Sequence, residues 1–185
     1  MSFLIDTIWN KIMIIRKQVK IQNPAYVRGR IYFHGKKASI EIGKNLRIIS
    51  ESSVNPTSGF NHVHLYTAKE GRIIIGDNVG ISHANIVSYK EIVIENNVMI
   101  GSGVKIWDTD FHSLNYELRI AQPEQGIVSK PIRIKEGAFI GACSIILKGV
   151  TIGKHSIIGA GSVVTKNVPD NEIWAGNPAK CIRKL

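Results

Sequence analysis

An aliphatic residue returns every six positions at Ile134, Ile140, Ile146, Ile152, Ile158 and Val164, and four residues after each comes a small or β-branched one: Ala138, Ser144, Val150, Ser156, Ser162 and Val168. A period of six suits neither an amphipathic helix nor a simple alternating strand. It suits a coil with three flat sides, each a short strand closed by a tight corner. The aliphatic residue points inward, and the smaller one fills the space near a corner. Glycine and asparagine between them tolerate the positive φ of sharp corners. Three sides make a coil of about 18 residues, and one coil alone could not bury its own core.

The same phrase recurs upstream in weaker register, from Ile42, Ile48, Ile75, Ile81, Ile94, Ile100 and Ile106. The expectation is an all-β chain, a parallel β-helix over residues 21–168. No long 3.6-period segment lies between the strands, which excludes a βαβ domain. Fixed sixfold spacing excludes a β-sandwich. Hydrophobic content of 44% with 21% charged residues excludes a disordered chain.

The repeat breaks after Ile106. After Ile94, Ile100 and Ile106 the next aliphatic position falls on His112, and regular spacing resumes only near Ile134. The intervening stretch, about 108–131, cannot form prism sides and is expected to project as a loop. Loops of this length in compact domains tend to be functional. This one concentrates Asp108, Asp110, His112, Tyr116, Glu117 and Arg119. A hydroxyl is a poor nucleophile near neutral pH, and an imidazole is suited to take its proton during attack. Asp108 and Asp110 could orient that imidazole or bind an acceptor. Asn85, in ISHANI, occupies the fourth-after-aliphatic position, where it could satisfy corner backbone groups or bind an acceptor.

These features together resemble the hexapeptide-repeat acyltransferases, over roughly residues 40–185. The segment IWDTDFHSLNYELR is similar to that family's loop-opening histidine segment, with Ser113 where proline is frequent. The tail GNPAKCIRKL is similar to its closing sequence. The resemblance implies a left-handed winding, His112 as general base, and transfer of an acetyl group from acetyl-CoA to an acceptor. It implies an oxyanion donor in the Ala142 amide and an acceptor contact at Asn85. Ala142 and Ala160 would line the pantetheine arm, Thr165 and Lys166 would lie near the adenine and phosphates, and Lys180 and Arg183 would meet the phosphates. It also implies a homotrimer with sites between subunits and Phe139 at the interface. Likeness to maltose, galactoside and polysaccharide O-acetyltransferases points to a saccharide hydroxyl. N-acylation of an amino-sugar nucleotide is the close alternative. A γ-type carbonic anhydrase built on His62, His64 and His83 is a more distant one, and no metal is expected.

The remaining features bear on partners. A net charge of +10 favours acidic partners, but no nucleic-acid-binding motif accompanies it. Two cysteines without CxxC spacing fit a reducing compartment, and no secretory leader or membrane span is read in the N-terminus. A cytoplasmic protein is expected. Residues 1–20 read as an amphipathic helix with Phe3, Leu4, Ile8, Trp9, Ile12 and Ile15 on one face, expected to cap the coil. Peripheral membrane contact, which Lys11, Arg16, Lys17 and Lys20 flanking that face would suit, is the less favoured alternative. Residues 169–185 read as a turn followed by a short basic helix.

Overall fold

The computed structural model describes residues 2–22, 25–35, 37, 39–51, 53–55, 57 and 62–185. The chain opens with a helix, Ser2–Lys17, and then winds through short strands that fall into three sheets. The first sheet stacks Lys20–Ile21, Ile40–Ile42, Ile73–Ile75, Ile92–Ile94, Ile132–Ile134 and Thr151–Ile152. The second runs through Ala25–Gly29, Leu46–Ser50, Gly80–Ser82, Met99–Ile100, Phe139–Ile140, Ile157–Ile158, Glu172–Gly176 and Ala179–Lys184. The third holds Ile31–Gly35, Val63–Thr67, Asn85–Ser88, Lys105–Trp107, Ile145–Ile146 and Val163–Val164. Every pairing is parallel except the last, between Glu172–Gly176 and Ala179–Lys184. This is a left-handed parallel β-helix, a triangular prism with three sheets as faces and three ridges of turns.

The inward column is the sequence repeat made physical. Ile134, Ile140, Ile146, Ile152, Ile158 and Val164 are all fully buried, as are Ala138, Ser144, Ser156 and Ser162. The next residue along each side, such as Ile145 or Val163, is only half-buried. Buried hydroxyls need partners, and they find them at the corners: Ser144 Oγ and Ser162 Oγ both donate to the Gly159 carbonyl, at 3.0 and 2.6 Å.

The ridges follow from residue chemistry. On the ridge between the first and second sheets, Asn45, Asn78 and Asn97 occupy the left-handed region at φ 55°, 57° and 60°. Asparagine tolerates that conformation, and its amide can bond along the stack. Asn45 Nδ2 donates to Asn78 Oδ1 at 3.0 Å, and Asn78 Nδ2 to Asn97 Oδ1 at 3.1 Å. On the ridge between the second and third sheets the left-handed residues include Gly29, His83, Gly103, Cys143 and Gly161. There the backbone of successive coils closes up tightly. A Cβ on Gly101 would lie 2.7 Å from the Ala142 nitrogen, and one on Gly141 would lie 2.6 Å from that of Ala160.

Two terminal expectations are corrected. The C-terminal basic segment is a strand, not a helix. Ala179–Lys184 turns back on Glu172–Gly176 and pairs with it antiparallel. The open edge of the second sheet offers this segment unpaired backbone groups to bond at once. The N-terminal helix is present, but it is turned the other way. Of the six apolar residues expected on its inner face, Phe3, Leu4, Ile8, Ile12 and Ile15 are exposed, and Trp9 faces the coil. The rim of the first coil presents backbone polar groups there, and the helix answers with its polar side. Asn10 is buried, donating to the Gly29 carbonyl at 2.9 Å and accepting from the Ile31 amide at 2.9 Å. Asp6 pairs with Arg30 at 2.7 Å.

Candidate active site

The loop leaves the prism at the ridge between the third and first sheets, between Trp107 and Ile132. In the coil below, the same corner is made by four residues, Ser88 to Glu91. Asp108 ties the two levels together. Its carboxylate is fully buried and accepts from Ser88 Oγ at 2.9 Å and from the amides of Tyr89, Lys90 and Glu91 at 2.7, 2.9 and 2.8 Å. With its oxygens so engaged, Asp108 is a structural staple and does not reach an acceptor or an imidazole. The expectation of acceptor binding is corrected for this residue.

Above it the two arms of the loop zip together. Lys130 N donates to the Asp108 carbonyl at 2.9 Å and Asp110 N to the Val128 carbonyl at 3.1 Å, with Thr109 and Ser129 bridged antiparallel. Beyond this neck a short helix, Tyr116–Ala121, is capped by Asn115, whose side chain accepts from the Leu118 amide. Arg119 reaches back to the Ser113 carbonyl at 2.8 Å.

His112 sits where the neck opens and is exposed. Its neighbours are pinned. Phe111, at φ 62°, packs against Tyr89 and Trp107 with ring centroids 5.9 Å away in each case. Asp110 Oδ1 pairs with Lys148 Nζ at 2.6 Å, from the corner of the next coil. The other oxygen, Asp110 Oδ2, is buried with no partner among the described residues. Burial pushes the Tyr89 phenol up, and the nearby Tyr66, Glu124 and Asp108 push it the same way, so it stays a proton donor under ordinary conditions. The result is a histidine displayed on a rigid mount, with an unsatisfied carboxylate oxygen two residues away in the chain.

Asn85 is not at the fourth-after-aliphatic position of a regular coil. The corner before it is one residue short: inward residues run Ile81, Ala84, Ile86, all buried, with His83 carrying the left-handed turn. The shortening throws Asn85 onto the outer face of the third sheet, half-buried, in register with His64 on one side and Lys105 on the other. The adjoining strands carry an aromatic ladder that sequence inspection missed. Tyr32 stacks on His64 at 4.9 Å and His34 on His64 at 5.5 Å, with Tyr66 beside His34 at 6.3 Å. Its sequence signal is the alternation IYFHG and VHLYT, whose outward residues are all rings.

His64 and His83 are held below the ordinary histidine range. Burial is the main cause for both, with His34 and His62 adding for His64, and His62 for His83. The folded state therefore binds fewer protons than the unfolded chain. Stability should be complete above the unfolded value of about 6.5 and fall as the pH drops through the lower folded values. Thermal melting at pH 8 and pH 5 measures this, and His64→Gln should flatten the dependence. An unchanged slope in that variant would assign the acid sensitivity elsewhere. Among the described residues of the chain, no three His, Cys, Asp or Glu side chains are grouped so as to hold one metal ion.

The residues expected to hold a cofactor lie on two ridges. Ala142 and Ala160 are on the ridge between the second and third sheets, and neither amide donates a hydrogen bond among the described residues. Thr165 and Lys166, both exposed, are on the ridge that bears His112 and Lys148. Lys180 and Arg183 are exposed on the terminal hairpin at the edge of the second sheet. One face of the prism separates the His112 ridge from the Ala142 ridge, on the order of 15 Å. Within a single chain, base and amide do not meet.

Comparison with known proteins bears on this arrangement. The family described as "Bacterial transferase hexapeptide (six repeats)" matches residues 131–166. A candidate acetyltransferase of Saccharomyces cerevisiae is 32% identical, over 92% of this chain and 82% of its own length. The galactoside O-acetyltransferase of Lactococcus lactis is 37% identical, over 81% of this chain and 65% of its own. Among solved structures, a galactoside acetyltransferase in complex with coenzyme A superposes with a TM-score of 0.55 at 29% identity, covering 90% of this chain and 64% of that one. The likeness to the yeast chain thus runs through nearly the whole length of this one, and the protein belongs to the hexapeptide-repeat acetyltransferase family.

Proposed function

We propose that this protein transfers an acetyl group from acetyl-CoA to a hydroxyl of a saccharide, with His112 as general base. The observation that carries the reading is the mounting of His112, exposed at the neck of the extruded loop while its neighbours are fixed by the Phe111 wedge and the Asp110–Lys148 pair. Positioning of this kind is what general-base catalysis requires. The acceptor oxygen attacks the thioester carbonyl carbon as His112 takes the hydroxyl proton. The tetrahedral oxyanion is held by the Ala142 amide. Its collapse breaks the carbon–sulfur bond, and the imidazolium returns its proton to the departing CoA thiolate. In this reading Asp110 Oδ2, without a partner among the described residues, accepts from the imidazole while it is charged.

Because His112 and Ala142 lie on different ridges, the working site is composite. In a homotrimer the His112 ridge of one subunit faces the Ala142 ridge of the next, and the cleft between them gathers Thr165 and Lys166 from one side with Ala160 from the other. Lys180 and Arg183 supply positive charge for the CoA phosphates, with lysine giving charge without a bidentate fork. On the acceptor side, Asn85 offers an amide on the outer face, and the neighbouring ladder of Tyr32, His34, His64 and Tyr66 offers flat rings of the kind that pack against sugars. The names of the galactoside O-acetyltransferase relatives support the same acceptor class.

The test is release of CoA thiol from acetyl-CoA against panels of saccharides and of amino sugars. Acceptor-dependent release with hydroxyl sugars is expected. Release only with amines would replace O-acetylation by N-acetylation, and failure to bind acetyl-CoA by calorimetry would remove the transferase reading.

A further inference from the structure

The N-terminal helix turns its polar side to the protein and its apolar side to solvent. Asp6, Asn10 and Lys17 make the inward contacts, Lys17 Nζ donating to the Gly35 carbonyl at 3.0 Å, while Met13 and Ile14 pack against the core. On the opposite side Leu4, Ile5, Ile8, Ile12 and Ile15 are 67, 48, 50, 53 and 75% exposed. They fall within roughly 100° of the helix circumference. A contiguous exposed aliphatic stripe of this kind marks an interaction surface.

The flanks say what covers it. Lys11 lies on one border of the stripe and Arg16 on the other, both exposed and neither in an ion pair among the described residues. A second copy would bring identical cations toward these, on a chain already carrying +10. An anionic bilayer would pair with them and take up the apolar stripe between. Aliphatic residues on one face bordered by Lys and Arg are the arrangement of helices that lie in the membrane interface. No helix among the described residues is long and apolar enough to cross a membrane, so the contact would be peripheral.

We infer that the helix Ser2–Lys17 docks this protein on the surface of an anionic lipid bilayer through Leu4, Ile5, Ile8, Ile12 and Ile15, with Lys11 and Arg16 at the headgroups. The transferase reading is not needed for this to hold. The full chain should float with vesicles of phosphatidylcholine and phosphatidylglycerol far more than with phosphatidylcholine alone. Ile8→Asp with Ile15→Asp should lower the bound fraction by about tenfold or more, and Lys11→Glu with Arg16→Glu by a similar factor that salt mimics. All four positions are exposed, so melting temperatures should hardly change, and circular dichroism of each variant checks that the helix persists. Flotation equal on neutral and anionic vesicles, or unaffected by the aspartates, would overturn the inference. So would a drop in oligomeric state of the aspartate variant by sedimentation without lipid, which would make the stripe an interface between copies.

Discussion

His112→Ala should lower the turnover of acetyl-CoA in the presence of a working acceptor by about 10²-fold or more, the usual scale for loss of a general base. The melting temperature should stay within a degree or two, and so should affinity for CoA. The physical basis is the mount: His112 is exposed, and the neck is held by Asp108, Thr109, Asp110, Phe111 and Ser129, none of which needs the imidazole. Loss should appear in kcat more than in KM, because the proton is taken only as the acceptor attacks. Steady-state kinetics with calorimetric binding on the same samples separates the outcomes. Turnover that survives within a few-fold would assign the proton to another group. Loss of CoA binding would make His112 a binding residue.

Asp108→Ala should give the reverse pattern, with stability reduced first and activity lost as a consequence. Removing the carboxylate leaves the amides of Tyr89, Lys90 and Glu91 and the Ser88 hydroxyl without their acceptor in a fully buried corner. At roughly 1–3 kcal/mol for each unsatisfied buried group, partly relieved by relaxation, the expected loss is about 3–5 kcal/mol. For a chain of this size that is a fall of about 10 °C or more in Tm. Asp108→Asn should also destabilise, since its amide nitrogen would face donors. Denaturant unfolding of both variants beside His112→Ala measures the contrast. A fully stable, inactive Asp108→Ala would return Asp108 to the acceptor site.

His112 and Asp108 show what can be placed from the sequence and where that stops. His112 was legible because it interrupts a pattern: an aliphatic was due at that position and a titratable side chain stood there. Asp108 had the same local credentials, an acid beside a histidine at the loop mouth, but its four partners lie 17–20 residues earlier in the chain. Nothing local distinguishes a carboxylate that caps a distant turn from one that faces a ligand. The register of Asn85 was misread for a smaller reason. A corner shortened by one residue moves a side chain from one face of a sheet to the other, and only the burial of Ala84 and Ile86 reveals the shortening.

What the sequence by itself determined is therefore the inside: the sixfold period, the three-sided coil, the place where the loop leaves and the histidine at its mouth. Inward-facing chemistry repeats along the chain, and burying apolar surface is non-directional, so each residue's part in it can be read locally. Tertiary structure alone decided the outside and the polar contacts. It turned the N-terminal helix so that Asn10 could serve Gly29 and Ile31 while Ile8 and Ile15 faced out, drew the basic tail into a strand on an open edge, and placed His112 and Ala142 on separate ridges. Hydrogen bonds are directional and obligatory once water is excluded. Which backbone groups are left wanting partners is known only after the coils have stacked.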